Sequence, residues 1–255
     1  MSRADVAPTV ERVLKPIQQF VRGWMMGPRV NERAAALGLP SGQDLWIVGR
    51  AGVVGNGDAD VAASGLAFIA PARVRLAWES LPAGTTPQGV AASYAELCCD
   101  WGREALADFD QSDLARLDGL GRRVAAAASP ALGAVFAGWR AIPEPDDVGA
   151  RVALTMHVLR ELRGGAHIIA VQASGLTPLE AVLASPAPRP RSGPEWAEHL
   201  GWSGPFADIE HKRARRLDAE QLTSDIMAPV LATLDEAELA EFAALVETTR
   251  NAIDM

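Results

Sequence analysis

The chain has few of the features that are typical of disulfide-stabilised or membrane-spanning proteins. Its 255 residues include two cysteines, Cys98 and Cys99. Because they are adjacent in sequence, a disulfide between them would not cross-link distant parts of the chain. We expect both to be small buried apolar side chains rather than a redox pair. No uninterrupted apolar run approaches the roughly 20 residues that span a bilayer, and the first residues lack the order of a signal peptide. We therefore expect a cytoplasmic protein without a membrane partner.

Positive charge is also scarce. The formal net charge is −8, and among 24 basic residues the only lysines are Lys15 and Lys212. One short basic cluster spans residues 212–216. A protein that binds duplex DNA must neutralise phosphates, usually with a basic patch. From composition we therefore do not expect DNA as a partner, and we expect no tight binding to promoter DNA at physiological salt.

Helix signals, by contrast, occur along the whole chain. Thr177–Glu180 and Ser192–Glu195 each combine an N-cap, an early proline and a capping-box glutamate. Ser41–Asp44 and Asp235–Glu238 are further predicted helix starts. Alternating apolar and polar runs are rare. We predict an all-α fold, with a large multi-helix body, helix-turn-helix-like corners, a C-terminal helical tail, and few or no strands.

A proline-rich segment divides the chain. Residues 185–194 contain four prolines in ten positions, which is typical of an extended, semi-rigid linker. It separates a helical body with the candidate ligand pocket, residues 1–184, from a C-terminal helical region, residues 195–255, that is expected to be a degenerate helix-turn-helix.

The predicted C-terminal helix, residues 235–253, has one apolar face. Leu239, Phe242, Leu245 and Val246 recur at helical spacing. Such a face must be covered, either by the body or by a second copy of the chain in a homodimer.

Three short segments have the same pattern of helix, glycine turn, apolar residue and new helix. They are residues 36–40, 173–177 and 199–203, and the pattern is that of a helix-turn-helix corner. The helix predicted at 177–184 offers no arginine, lysine or asparagine to base edges, so we expect that corner to be architectural. The basic helix within 195–216 is the fallback candidate for DNA contact.

The segment from His157 to His167 holds the candidate site. At 100° per residue, His157, Arg160 and Glu161 share a sector offset from the packing positions. Small residues in the same sector allow close approach of a second helix or a ligand. The alternative is a solvated face with a weak pair between His157 and Glu161.

A glycine pair, Gly164 and Gly165, is expected to end this helix. Arg163 would then lie at a helix C-terminus and His167 at the next N-terminus, where an imidazole tends to be neutral. A neutral His167 beside Glu161 could move a proton, so these two are the candidate catalytic residues. The alternative for His167 is a cap or a core histidine.

Five segments of the chain are informative when taken together: residues 48–52, 143–147, 159–167, 173–176 and 201–203. In these segments the chain resembles an actinobacterial family of helix-turn-helix or MarR-like proteins of unknown function. That family tends to have Arg-Gly-Asp-Gly-His where this chain has Arg163–His167, and a longer helix and small wing where this chain has Gly204–Pro205. The resemblance implies that Arg50 faces the same pocket as Arg160 and Arg163.

Other residues complete the candidate site. Trp46 and Trp139 are candidate pocket walls, with a place in the core as the alternative. His157, Glu161 and His167 have the residue types of an open two-histidine, one-carboxylate metal site, and His167 could ligate a haem. The expected site nevertheless contains no metal, and no cofactor is specified.

These observations lead to one leading expectation and two alternatives. The leading one is a protein that binds a small, anionic molecule, acting as an enzyme or accessory protein of specialised metabolism. The first alternative is a MarR-like transcriptional regulator. The second is a helical enzyme that binds a metal or haem.

Overall fold

The computed structural model describes residues 3–25, 27–185 and 192–253, and in these ranges the chain forms α-helices, short 3₁₀ turns and no strand. The prediction of an all-α fold is confirmed. Most of the predicted linker, residues 186–191, lies outside the described residues. The helices are α1 (Arg3–Met25), α2 (Pro28–Ala36), α3 (Gly42–Ala51), α4 (Ala59–Gly65), α5 (Pro71–Glu79), α6 (Pro87–Ala105), α7 (Gln111–Ala127), α8 (Ala134–Arg140), α9 (Val148–Ala173), α10 (Pro178–Leu183), α11 (Gly193–His199), α12 (Arg213–Leu231) and α13 (Glu236–Ile253).

The predicted helix starts are confirmed by their hydrogen bonds. Thr177 and Ser192 each form a reciprocal capping box with the glutamate three residues later. Ser41 accepts a hydrogen bond from the Asp44 amide, and Asp235 and Glu238 cap α13 reciprocally. Each cap satisfies backbone N–H groups that a helix leaves unpaired in its first turn.

The three glycine corners share one geometry. Gly38, Gly175 and Gly201 all have positive φ, at 70°, 70° and 84°. After each glycine, the next amide bonds a carbonyl five residues back, the pattern of a Schellman motif. Helices α3 and α10 follow the first two corners directly, whereas the third leads into a non-helical stretch before the short 3₁₀ turn Glu210–Lys212.

Helix α9 is the centre of the molecule. Its 26 residues pack against α1, α6, α7, α8 and α12, and 16 of them are buried, from Gly149 to Val171. None of residues 148–168 is exposed, so this part of the helix has no solvent face to make it amphipathic. Despite this apolar character, none of the described helices is long and apolar enough to cross a membrane.

The predicted end of α9 at Gly164 and Gly165 is wrong, because the helix continues to Ala173. Glycine in a helix interior costs only about 1 kcal/mol relative to alanine, which tertiary packing offsets here. At Gly165 a Cβ would overlap the carbonyl oxygen of Leu132, so this glycine allows a close backbone approach. Arg163 and His167 therefore lie inside a helix, and neither is at a helix terminus.

Helix α13 packs on the body of the same chain. Leu239, Phe242 and Val246 are buried, and α13 contacts α1 and α7. Arg116 and Arg123 of α7 bond glutamates of α13 on its outer side. The apolar face noted in the sequence is thus covered within the chain.

The adjacent glycines of α9 give a matched test of this packing. Gly165→Ala should lower the free energy of unfolding by about 1–3 kcal/mol, the usual cost of overpacking. Gly164→Ala should leave it unchanged or raise it by up to about 1 kcal/mol, since a Cβ there meets only Glu161 Oε2, at 3.7 Å. Urea denaturation of both variants measures the difference. Equal effects would mean that α9 does not approach Leu132 this closely.

Candidate functional site

Helices α3 and α9 bring a buried ion pair together across 111 residues of sequence. Arg50 donates from Nε to Glu161 Oε1 at 2.8 Å and from Nη2 to Oε2 at 2.9 Å, which is the two-pronged geometry that arginine and carboxylate prefer. Arg160 adds a third hydrogen bond, from Nη1 to Oε1 at 2.5 Å. Both oxygens of the Glu161 carboxylate are therefore occupied by arginines.

The ion pair fixes the charge of this cluster. Burial alone would raise the pKa of Glu161, but the charges of Arg50 and Arg160 outweigh it and hold that pKa below its ordinary range. Burial, reinforced by the charge of Arg50, lowers the pKa of Arg160 to about 10, so Arg160 is still a cation at neutral pH. Two cations and one anion leave the cluster with an excess positive charge.

His157 completes the cluster from the adjacent turn of α9. It is fully buried, with ring centroids 4.0 Å from Trp139 and 5.1 Å from Trp24. Its Nε2 lies 3.4 Å from Glu161 Oε1 without a hydrogen bond. Burial lowers the pKa of His157 to about 3, so the imidazole is neutral at pH 7.

Both tryptophans expected as pocket walls contact Arg50. Trp139 donates from Nε1 to the Arg50 carbonyl oxygen at 3.0 Å, and the guanidinium carbon of Arg50 lies 5.2 Å from the Trp46 ring centroid. The second contact is a cation–π interaction. Trp24 and Tyr94 also belong to this cluster and were missed, since nothing in the pattern of α1 or α6 distinguishes them from core residues.

The structure places Arg163 and His167 in a second cluster, against α12. Arg163 and Arg216 bond the two oxygens of Glu220, each at 2.6 Å. His167 Nδ1 lies 2.8 Å from the hydroxyl of Thr223. The residues predicted as one site thus divide into a cluster with α3, containing Arg50, His157, Arg160 and Glu161 (the central cluster), and a cluster with α12.

This division separates the three candidate metal ligands, because His157 and Glu161 lie in one cluster and His167 in the other. Within the described part of the chain, no group of three or more His, Cys, Asp or Glu side chains is arranged to hold a metal ion. A surface groove of about 550 Å³ between α2 and α6 is lined by charged residues such as Arg33 and Asp100 and by none of the predicted site residues.

An all-α fold with three helix-glycine corners is typical of helix-turn-helix proteins. A model described as a helix-turn-helix family matches residues 7–254, nearly the whole chain. The chain belongs to this helix-turn-helix family. No curated protein and no solved structure matches it.

Burial of a neutral His157 predicts a pH dependence of stability. The unfolded chain binds a proton near the ordinary pKa of 6.5, whereas the folded chain does so only near 3. The stabilisation is therefore complete above pH 6.5 and is lost as the pH falls below it, by up to about 1.4 kcal/mol per pH unit.

The matched variants are His157→Phe, which fits the aromatic surroundings, and His211→Gln at an exposed position. Between pH 7.5 and 5, the wild type and His211→Gln should lose about 2 kcal/mol more than His157→Phe, as measured by urea denaturation. The same pH slope in all three proteins would contradict this prediction, because it would show that His157 binds protons equally well in the folded and unfolded chains.

Proposed function

We propose that the chain is a transcriptional regulator of the helix-turn-helix type, and that it is a MarR-like regulator. The main support is the family match over residues 7–254. It favours the regulator over the leading expectation of a metabolic ligand-binding protein or enzyme. A corner can contact DNA only if its second helix is exposed, so we compare the exposure of the corners to locate the proposed DNA-contacting surface.

The first corner does not offer a recognition helix. Of the ten residues in α3, eight are buried, including Arg50. A helix buried to this extent cannot enter a major groove, which takes a helix with exposed side chains. The corner between α2 and α3 is therefore architectural.

The second corner lies beside the basic segment of the chain. Lys212 bonds Glu180 in the capping box of α10, and Arg215 donates from Nη1 to the Gly175 carbonyl oxygen at 3.4 Å. These contacts join residues 174–180 and 211–215 into one surface, which we call the corner face. Arg213 and Arg215 are exposed on it.

Local charge supports DNA contact at the corner face in spite of the net charge of −8. Exposed charges separated by more than about 10 Å are largely screened at 0.1 M salt, so phosphates meet mainly the local charges. There, Lys212 and Arg213 are paired with Glu180 and Glu210, and Arg215 adds a further positive charge. The α10 side chains offer no arginine, lysine or asparagine to base edges. The corner face would position DNA through phosphates, with sequence preference from DNA shape.

Charge reversal tests this surface. The double variant Arg213→Glu/Arg215→Glu should bind a duplex from the gene's upstream region at least tenfold more weakly. The slope of log affinity against log salt should fall by about 0.9 for each lost phosphate contact. Fluorescence anisotropy at several salt concentrations measures both quantities.

The control is Arg22→Glu/Arg103→Glu, which makes the same change in net charge at exposed positions outside the corner face. It should bind like the wild type. If the wild type prefers no upstream duplex over a scrambled one, or if both double variants lose affinity equally, the proposed regulator or its DNA surface is wrong.

A further inference from the structure

The chain contains an internal repeat that extends beyond the glycine corners. Residues 106–115 have the sequence Leu-Ala-Asp-Phe-Asp-Gln-Ser-Asp-Leu-Ala, and residues 231–240 have Leu-Ala-Thr-Leu-Asp-Glu-Ala-Glu-Leu-Ala. Half of the positions are identical. In each segment the shared aspartate, Asp110 or Asp235, accepts a hydrogen bond from the amide three residues later. The two segments therefore form the same turn into a new helix.

The helices on either side of these segments correspond in order and length. Helices α6 and α12 both have 19 residues, and α7 and α13 have 17 and 18. Ahead of each pair lie a long helix, a glycine corner with its capped second helix, and a further short helix, α4 or α11. We call residues 3–127 the first half and residues 148–253 the second half.

The second helix of the first two corners is held by the same kind of ion pair in both halves. The acid three residues after the N-cap, Asp44 in α3 and Glu180 in α10, pairs with a basic side chain from the segment after the next helix. That side chain is Arg73, at 2.7 Å, in the first half and Lys212 in the second. The repeat thus includes tertiary contacts as well as local sequence.

The halves are interlocked through their long helices. Helix α1 packs on α12 and α13 of the second half, and α9 packs on α6 and α7 of the first half. Helices α1 and α9 also pack against each other, and α9 contacts α12 of its own half. Two identical chains that exchange an element form this kind of arrangement as a dimer.

Two contacts join positions that correspond to each other in the repeat. Arg116 and Glu241, each the sixth residue of its helix, bond across 125 residues, which is the separation of the repeated segments. Trp202 donates from Nε1 to the Phe68 carbonyl oxygen at 2.9 Å, and each is the third residue after its short helix. A position meets its own counterpart at a two-fold axis. In two identical chains position 116 would oppose a like charge, whereas these halves carry opposite charges.

The halves differ at the face proposed to contact DNA. When α6 is aligned with α12, the first-half counterparts of Arg213 and Arg215 are Pro87 and Gly89. Eight of the ten residues in α3 are buried, against two of the six in α10. At these positions the first half therefore has neither the cations nor the exposed helix of the corner face.

We propose that the chain is an internal dimer, in which two homologous halves form with each other the two-fold unit that separate copies of a shorter chain would form. It therefore acts without a second copy. A further part rests on the proposed regulator: only the second half contacts DNA, and the partner is an asymmetric duplex site bound by one chain. A symmetric dimer would instead span two half-sites about one helical turn apart, roughly 34–36 Å.

Sedimentation velocity of the full chain and charge reversal between α7 and α13 test the internal dimer. The chain should sediment as a monomer of 27.0 kDa throughout the micromolar range of concentration. Arg116→Glu/Arg123→Glu and Glu238→Arg/Glu241→Arg should each lower the melting temperature by about 2–4 °C, because like charges then meet across the two helices. The variant with all four changes should recover most of this loss.

A mixture of the two double variants, unfolded in urea and refolded together, gives the deciding comparison. Contacts within one chain cannot be repaired by mixing, so the mixture should melt like its components. If α7 instead met α13 of a second copy, mixed pairs would join glutamate to arginine and melt like the wild type. Such recovery, a dimer in sedimentation, or double variants that melt no lower than the control Arg22→Glu/Arg103→Glu would each overturn the internal dimer.

The DNA part is tested with the duplex from the gene's upstream region, by native mass spectrometry and hydroxyl-radical footprinting. One chain should bind each duplex and protect a single region, and Arg75→Glu, at an exposed position of α5 in the first half, should bind like the wild type. Two protected regions about 10 base pairs apart, two chains per duplex, or a tenfold loss with Arg75→Glu would overturn this part. If the chain prefers no upstream duplex over a scrambled one, the proposed regulator and the DNA part are both wrong, while sedimentation and mixing still decide the internal dimer.

Discussion

The buried ion pair between Arg50 and Glu161 is the interaction on which the arrangement of the other polar groups depends. A buried carboxylate is tolerated only when it is paired and hydrogen-bonded, and Glu161 meets this condition through an arginine from α3, 111 residues away. The pair joins α3 to α9, although α3 packs chiefly on α2 and α6. It also places the Arg50 carbonyl where Trp139 bonds it and the guanidinium where Trp46 stacks.

Helix α9 connects this pair to the rest of the molecule. Its Glu161 pairs with Arg50 of α3. Arg163 and His167, further along the same helix, contact Glu220 and Thr223 of α12. There, Glu220 also bonds Arg216, which donates to the Ala181 carbonyl of α10. The central cluster and the corner face are thus attached to the same rigid helix.

Local features of this fold could be predicted from the sequence, and features that join distant segments could not. Caps such as Thr177 with Glu180 depend on four consecutive residues, and they were predicted correctly. The continuation of α9 through Gly165 depends on Leu132, which the helical pattern does not include. Arg50 was placed near Arg160 only through the family resemblance. Arg163 was assigned to the same pocket because its true partner, Glu220, lies 57 residues further on.

A double-mutant cycle on Arg50 and Glu161 tests the central claim most directly, with Arg50→Met and Glu161→Leu as substitutions of similar volume. Glu161→Leu should lose about 3–5 kcal/mol of unfolding free energy, because it leaves Arg50 buried without its partner. Arg50→Met should lose somewhat less, because Arg160 still pairs with Glu161. The double variant should lose less than the sum by more than about 2 kcal/mol, since Arg160 can reach solvent. Additive losses within about 0.5 kcal/mol would contradict the account and show that the two side chains do not depend on each other.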